Sequence, residues 1–179
     1  MNGYSLLFML CVVGMPGCGK SIFLDIAREY NHAVISMGDA VRSETKKRGL
    51  PPEQHGEVAQ ALRDEKGLAA VAYLILNKLT PQCIVDGVRG LAEIDVFRKQ
   101  YPLEIVAIHT PPKMRFIRIK KRRRAGDPVC WKEFVERDLR ELGFGIGGVI
   151  ALADYMLLNR STKIQFEKKC QDFLSRRNP

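Results

Sequence analysis

Eight residues, Gly14 to Ser21 (G-M-P-G-C-G-K-S), constrain this chain more than any other stretch. They follow an apolar run, Leu6 to Val13, and precede Ile22-Phe-Leu-Asp-Ile-Ala-Arg28, whose apolar residues recur at helical spacing. A buried strand, a glycine loop and a helix N-terminus in that order make an anion cradle. Loop N–H groups and the helix dipole converge on phosphate, and glycines let the backbone approach without a Cβ in the way. In the pattern G-x-x-x-x-G-K-[ST], Lys20 adds a mobile positive charge for the outer phosphates, and the Ser21 hydroxyl is placed for Mg²⁺. The stretch predicts a bound nucleoside triphosphate, with Gly14, Pro16, Gly17, Cys18, Gly19, Lys20, Ser21 and Ile22 as its contacts.

The rest of the chain supplies a scaffold for that loop. Strands are expected at 6–13, 33–36, 82–86, 103–109 and 154–158. Helices are expected at 20–30, 39–47, 53–66, 68–79, 91–100, 112–122, 131–142 and 162–176. Ser36 or Asp39 is available to cap the second helix. Thr80-Pro81 ends the fourth, because the residue before a proline leaves the helical region. The charged segment 122–128 is expected to be mobile and 143–148 to be a flexible joint. Trp131 is expected to pack a helix onto the core, and Tyr155 to lie in it. Short apolar strands alternating with helices indicate an α/β fold, a parallel sheet covered on both faces. Ligands in such sheets sit at the carboxyl ends of the strands. Those ends carry 14–21, 36–42, 86–89, 109–110 and 159–160, so the unusual residues fall on one rim.

With 179 residues, 46% hydrophobic and 27% charged, the chain suits one domain with a real core. Five scattered cysteines with no C-x-x-C pair point to reduced thiols inside the cell, not to a zinc site or a disulfide scaffold. The apolar N-terminus lacks a positive leading region and runs directly into the phosphate loop, so cleavage there would destroy the loop. No run approaches the roughly 20 apolar residues of a membrane helix. A cytoplasmic protein with no membrane partner is expected. A formal charge of +9 calls for anionic partners, which nucleotide polyphosphate or nucleic acid can satisfy.

Two further stretches on the rim carry chemistry. Asp86 ends the strand 82–86, where a carboxylate facing the phosphate loop can hold Mg²⁺ through water. In Ser36-Met-Gly-Asp-Ala-Val-Arg-Ser-Glu44, Gly38 permits close backbone approach, and Arg42 offers a forked guanidinium to a phosphate.

Together, G-M-P-G-C-G-K-S, S-M-G-D-A-V-R-S-E and D-G-V-R resemble the adenylate kinase and wider nucleoside monophosphate kinase family, in the family's order and along most of the chain. More closely, the chain is similar to archaeal adenylate-kinase-related P-loop proteins of poorly defined substrate. Ala153 to Asn159 also resembles dephospho-coenzyme A kinase. The resemblance implies a three-layer P-loop kinase fold with a five-stranded parallel sheet. It makes 1–179 one domain, 38–80 a helical acceptor-binding insert and 120–130 a short basic lid. It gives Lys20, Ser21, Arg118, Arg122, Asn159 and Arg160 to the ATP donor. Ser36, Met37, Gly38, Arg42, Gly67, Asp86, Gly87 and Arg89 go to the acceptor, with AMP as its implied identity. Lys20, Arg89, Arg122 and Arg137 become the catalytic set, and Ser21 and Asp86 the Mg²⁺ ligands. Met37 stands where the family has threonine, and the turn D-G-V-R lacks the family proline.

The implied reaction is transfer of the γ-phosphoryl group to a nucleotide phosphate. That oxygen is already anionic, so the demand is for alignment, charge screening and exclusion of water. A hydroxyl acceptor, as in dephospho-coenzyme A kinase, would instead need a base, for which Asp39 or Asp86 is the candidate. The run Lys120-Lys-Arg-Arg-Arg124 reads either as a solvated lid helix or as a nucleic-acid contact. The latter agrees with adenylate-kinase-like proteins that act as ATPase switches in ribosome maturation.

Overall fold

The computed structural model describes residues 8–124 and 126–177. Its five parallel strands are β1 (Met9–Val13), β2 (Val34–Ser36), β3 (Ile84–Asp86), β4 (Leu103–His109) and β5 (Tyr155–Leu158). They form one sheet in the order β2-β3-β1-β4-β5. Every residue of β1 is buried, as expected for the central strand of a sheet covered on both sides.

Period-2 alternation along β1 divides the core between two faces. Leu10 and Val12 pack with Ile84, Val106 and Ile108 under α1 (Lys20–Glu29) and α9 (Lys163–Ser175), chiefly through Phe23, Ala27, Phe166 and Cys170. Met9, Cys11 and Val13 face the other way. They share a core with α2 (Met37–Lys47), α3 (His55–Lys66), α4 (Ala70–Tyr73), α5 (Leu91–Arg98) and α8 (Ile146–Ala151). Burial in that core drives the Cys11 thiol pKa far upward. Two more helices, α6 (Pro112–Arg122) and α7 (Trp131–Gly143), meet through the aromatic cluster Phe116, Trp131 and Phe134.

Several expectations need correction. The start of the first predicted strand, 6–7, lies outside the described residues. The helix expected over 68–79 is instead α4 followed by a 3-10 turn at Leu76–Lys78. That run is apolar on every side, so periodicity could not mark its end. Packing does: Ala70, Val71, Ala72 and Ile75 all enter the core, and the chain turns at Leu74 to place Ile75 there. The joint expected at 143–148 is largely helical. Gly145 takes φ 100° between α7 and α8, and Ile146 and Val149 anchor the second helix. Tyr155 is not core; it is 36% exposed, donates to Glu104 at 3.2 Å, and carries the Arg177 guanidinium 4.1 Å from its ring centre. Of the two caps the sequence offers, Ser36 serves α2, as expected: its hydroxyl accepts the Asp39 N–H at 3.1 Å. Among the described residues, no helix is long and apolar enough to cross a membrane.

Candidate nucleotide-binding site

The glycine loop joins β1 to α1. Gly17 and Gly19 have φ of 82° and 105°, in the left-handed region. A Cβ on Gly19 would lie 2.3 Å from Asn159 Nδ2, and one on Gly17 2.9 Å from Ile119 Cγ1. Gly19 opens α1 with no side-chain cap, and the first turn contains no acidic residue. The first N–H groups and the positive end of the helix dipole are therefore left for an anion. Lys20 Nζ donates to the Gly14 carbonyl at 2.9 Å, which folds the ammonium back over the loop. Ser21, one residue later, is exposed. Asp86 ends β3 in register with Val12 of β1. Its Oδ1 is buried with no hydrogen-bond partner among the described residues.

A network of buried polar side chains fixes the loop from behind. The Cys18 carbonyl accepts from Asn159 Nδ2 at 2.8 Å and lies 2.9 Å from the Thr110 hydroxyl. Arg118 donates to Thr110 Oγ1 and to Asn159 Oδ1, both at 3.1 Å. Burial lowers the Arg118 pKa from its ordinary value. Arg115, only 4% exposed, donates to the Thr110 carbonyl at 3.1 Å and the Pro16 carbonyl at 3.2 Å. It also forms a forked pair with Asp138 of α7, with Nη1–Oδ1 at 2.8 Å. Asn159 and Arg118, expected at the nucleotide, are thus spent on the loop in this state, and Arg160 is exposed beyond β5.

Sequence reasoning passed over Arg115 and Asp138. A signal existed. Arg115 precedes Ile119 by one helical turn on the buried stripe of α6, and the half-buried Asp138 follows the buried Phe134 by one turn on α7. A charged residue on an apolar stripe implies a buried partner.

The other predicted residues divide into groups. Met37 is buried, and a Cβ on Gly87 would lie 3.3 Å from its Cβ, so these two meet. Arg42 lies over Gly38 and pairs with Asp39. Gly67 ends α3 with φ 87°. Arg89 donates from Nε to Glu141 at 2.8 Å and from its backbone N–H to Glu93 at 2.7 Å. Arg122 and Arg137 share one carboxylate: Asp127 accepts from Arg122 at 2.7 and 2.8 Å and from Arg137 at 3.1 Å. These bonds, Arg122 first, hold the Asp127 carboxyl at about 2.

A phosphate loop after the central strand of a parallel β2-β3-β1-β4-β5 sheet, with helices on both faces, defines a P-loop protein of the kinase-like fold. Residues 13–133 match the family described as an AAA domain. A UPF0200 protein of Hyperthermus butylicus is 47% identical over 182 residues, spanning 98% of this chain and 97% of that protein. The UPF0200 protein MJ1399 of Methanocaldococcus jannaschii is 48% identical over 164 residues, spanning 87% and 83%. The chain belongs to the UPF0200 family. Among solved structures, TT1252 from Thermus thermophilus superposes with a TM-score of 0.65 at 15% identity, over 96% of this chain and 98% of that one. A shikimate kinase from Bacteroides thetaiotaomicron gives 0.60 at 16%, over 94% and 97%. Those two likenesses establish the fold alone.

Proposed function

We propose that the protein transfers the γ-phosphoryl group of ATP to a nucleoside monophosphate, with AMP the first candidate. The observation that carries this reading is an uncapped, acid-free α1 N-terminus together with arginines after the ends of β2 and β3 and an arginine pair on α6 and α7, each held on a carboxylate. Arg42 is held by Asp39, Arg89 by Glu141, and Arg122 with Arg137 by Asp127. In this reading 38–80 is the acceptor-binding insert and 120–130 the lid. Lys20 and the loop N–H groups bind the donor phosphates. Arg42 and Arg89 orient the acceptor phosphate, and Arg122 and Arg137 screen the transferring group as the lid shuts out water.

The residues present fit Mg²⁺. Asp86 Oδ1 is a buried, unpartnered oxygen at a strand end, and the Ser21 hydroxyl is exposed at the start of α1. When bound there with nucleotide, the ion neutralises charge on the phosphate oxygens.

The test is a panel of nucleoside monophosphates and dephospho-coenzyme A, each assayed with Mg·ATP for ADP and for phosphorylated product. AMP-dependent ADP formation is expected. ATP hydrolysis with no phosphorylated product from any acceptor would sink the kinase reading. It would favour an ATPase switch on RNA, for which Lys120, Lys121, Arg123 and Arg124 are exposed, with no carboxylate paired to their side-chain charges among the described residues. Phosphorylated dephospho-coenzyme A would favour a hydroxyl acceptor, with the free Asp86 oxygen as its base.

A further inference from the structure

β5 stands at the edge of the sheet: β4 pairs with one side of it, and among the described residues no strand pairs with the other. Tyr155 to Leu158 are all apolar or aromatic, and none of them is fully buried. Period-2 alternation sorts their side chains between the two faces. Leu157 packs against the core under α9, and Tyr155 lies on that same face against Phe173. Met156 and Leu158 point to the opposite face, where each is 46% exposed. An open apolar edge is a template for a further strand, and folded chains commonly blunt one with proline, a bulge or charge. Within β5 there is no proline and no charged residue.

The backbone decides which groups are free to pair. The Asn159 N–H bonds to the His109 carbonyl at 2.8 Å, so at a period of two the N–H and C=O of Tyr155 and Leu157 also turn to β4. Those of Met156 and Leu158 therefore turn outward. Lys169 agrees, since it reaches this edge from α9 and donates to the Leu158 carbonyl at 3.2 Å. That bond is exposed, and a strand N–H can replace it. A strand approaching antiparallel, with Leu157 on a two-fold axis, sets Met156 opposite Leu158 of the second copy and Leu158 opposite Met156. Both pairs then exchange N–H···O=C bonds and cover each other's exposed side chains.

The same axis matches charge. Asp154, just before β5, is exposed, and one of its oxygens accepts the Ile105 N–H at 2.7 Å, leaving the other free to pair. Lys169 and the exposed Arg160 stand at the far end of the edge. An edge with a carboxylate at one end and cations at the other complements its own reversed copy, whereas a parallel approach would set like charges together. That self-complementarity selects a second copy of this chain as the occupant.

We infer that β5 pairs antiparallel with β5 of a second copy, about a two-fold axis at Leu157, and joins the two sheets into one. The surface goes beyond the phosphoryl-transfer reading and stands whatever the acceptor is. It also touches the phosphate loop, because Asn159, next after β5, holds the Cys18 carbonyl at 2.8 Å. A strand pair this short buries less than the roughly 1,200 Å² of a standard interface, so a weak dimer is expected, with Kd on the order of 10 μM.

The experiment is sedimentation velocity of the full chain from about 1 to about 200 μM, which spans that constant. A monomer–dimer equilibrium is expected. Met156→Lys puts a charge into the apolar pair at an exposed position and should raise Kd about tenfold or more. If that variant fails to fold, Leu158→Lys replaces it. Arg160→Glu sets like charges together at both ends of the pair and should raise Kd about threefold or more. Amide exchange tests the strand pairing itself: protection of the Met156 and Leu158 N–H groups should grow with protein concentration in the wild type. A monomer at every concentration would overturn the pairing and leave the edge to a strand from another protein. A dimer unmoved by Met156→Lys but broken by Leu139→Glu would lie on the exposed side of α7, and would overturn it as well. So would a dimer in which the Met156 and Leu158 amides exchange as fast as in the monomer.

Discussion

The phosphate loop and the arginines proposed to serve the reaction are held in opposite ways. Carbonyls of Pro16 and Cys18 are fixed by Arg115, Thr110 and Asn159, side chains from α6 and the ends of β4 and β5, all of them buried. Arg42, Arg122 and Arg137 instead rest on carboxylates, and exposure grows outward. The Arg122 and Asp127 side chains are 30% and 7% exposed, and those of Arg42 and Asp39 are 55% and 71%. A buried network with every member paired is rigid, which suits a cradle whose N–H groups must be aimed before the phosphate arrives. An exposed ion pair contributes about 0–1 kcal/mol, so a polyphosphate can displace it. The contrast separates a preorganised half of the site from a half that can move onto its ligand.

The largest test of that contrast is Arg115→Ala. It strips two loop-side carbonyls of a donor and leaves Asp138 without its partner, so thermal or denaturant melts should show a loss of about 3–5 kcal/mol. ATP affinity should fall with it; a change below about 1 kcal/mol would show that the loop does not depend on this brace. Next is Lys20→Ala. Among the described residues the Lys20 ammonium makes one hydrogen bond, to the Gly14 carbonyl, and no ion pair, so the melting temperature should barely move. ATP titrations should weaken about 30-fold or more, the size expected for removing a charge that binds a charged partner. Equal ATP affinity in this variant would remove the phosphate loop from nucleotide binding altogether.

How much of this was legible in the sequence follows from the range over which each feature is encoded. The loop, β1 and the position of Asp86 are local: glycines, lysine and an apolar strand read without knowledge of partners. That both faces of the sheet are covered was also legible, because Met9 to Val13 is apolar at every position. The α4 break was not, since nothing within an apolar stretch says where Ile75 must go. Nor was the status of Arg122 and Arg137. Their residue types were readable, but the single Asp127 that joins them, between α6 and α7, is a tertiary fact. The pairs Arg63–Glu93 and Arg89–Glu141 were hidden for the same reason: their members lie on separate elements and read singly as ordinary surface charges.

Asp127→Asn probes the middle of the range. It removes a charge that holds two guanidiniums, and a cost of about 1–3 kcal/mol in denaturant melts is expected. The carboxyl is held at about 2, below its ordinary 3.8. A depressed carboxylate contributes fully above its unfolded value and loses that contribution as pH falls through its folded value. The difference between wild type and variant should therefore stay constant from neutral pH down to about 5, and close as pH drops from 3.8 toward about 2. A difference that instead closed between pH 7 and pH 5 would mean that Asp127 is not paired as described.

The smallest effect is expected at Asp39→Asn, and smallness is what makes it informative. Asp39 pairs with Arg42 in the open and lies in the first turn of α2, where a negative charge favours the helix dipole. Its backbone N–H, bound by Ser36, is retained in the variant, so the cap survives. Stability should fall by only about 0.5 kcal/mol, measured in parallel melts. If Arg42 is parked on Asp39 and must leave it to meet an acceptor phosphate, the variant has one less competitor, and its KM for AMP should stay level or drop while the KM for ATP is unmoved. A KM for AMP that rises severalfold would mean that Asp39 positions Arg42 rather than competes for it, and the acceptor half would then be as preorganised as the loop.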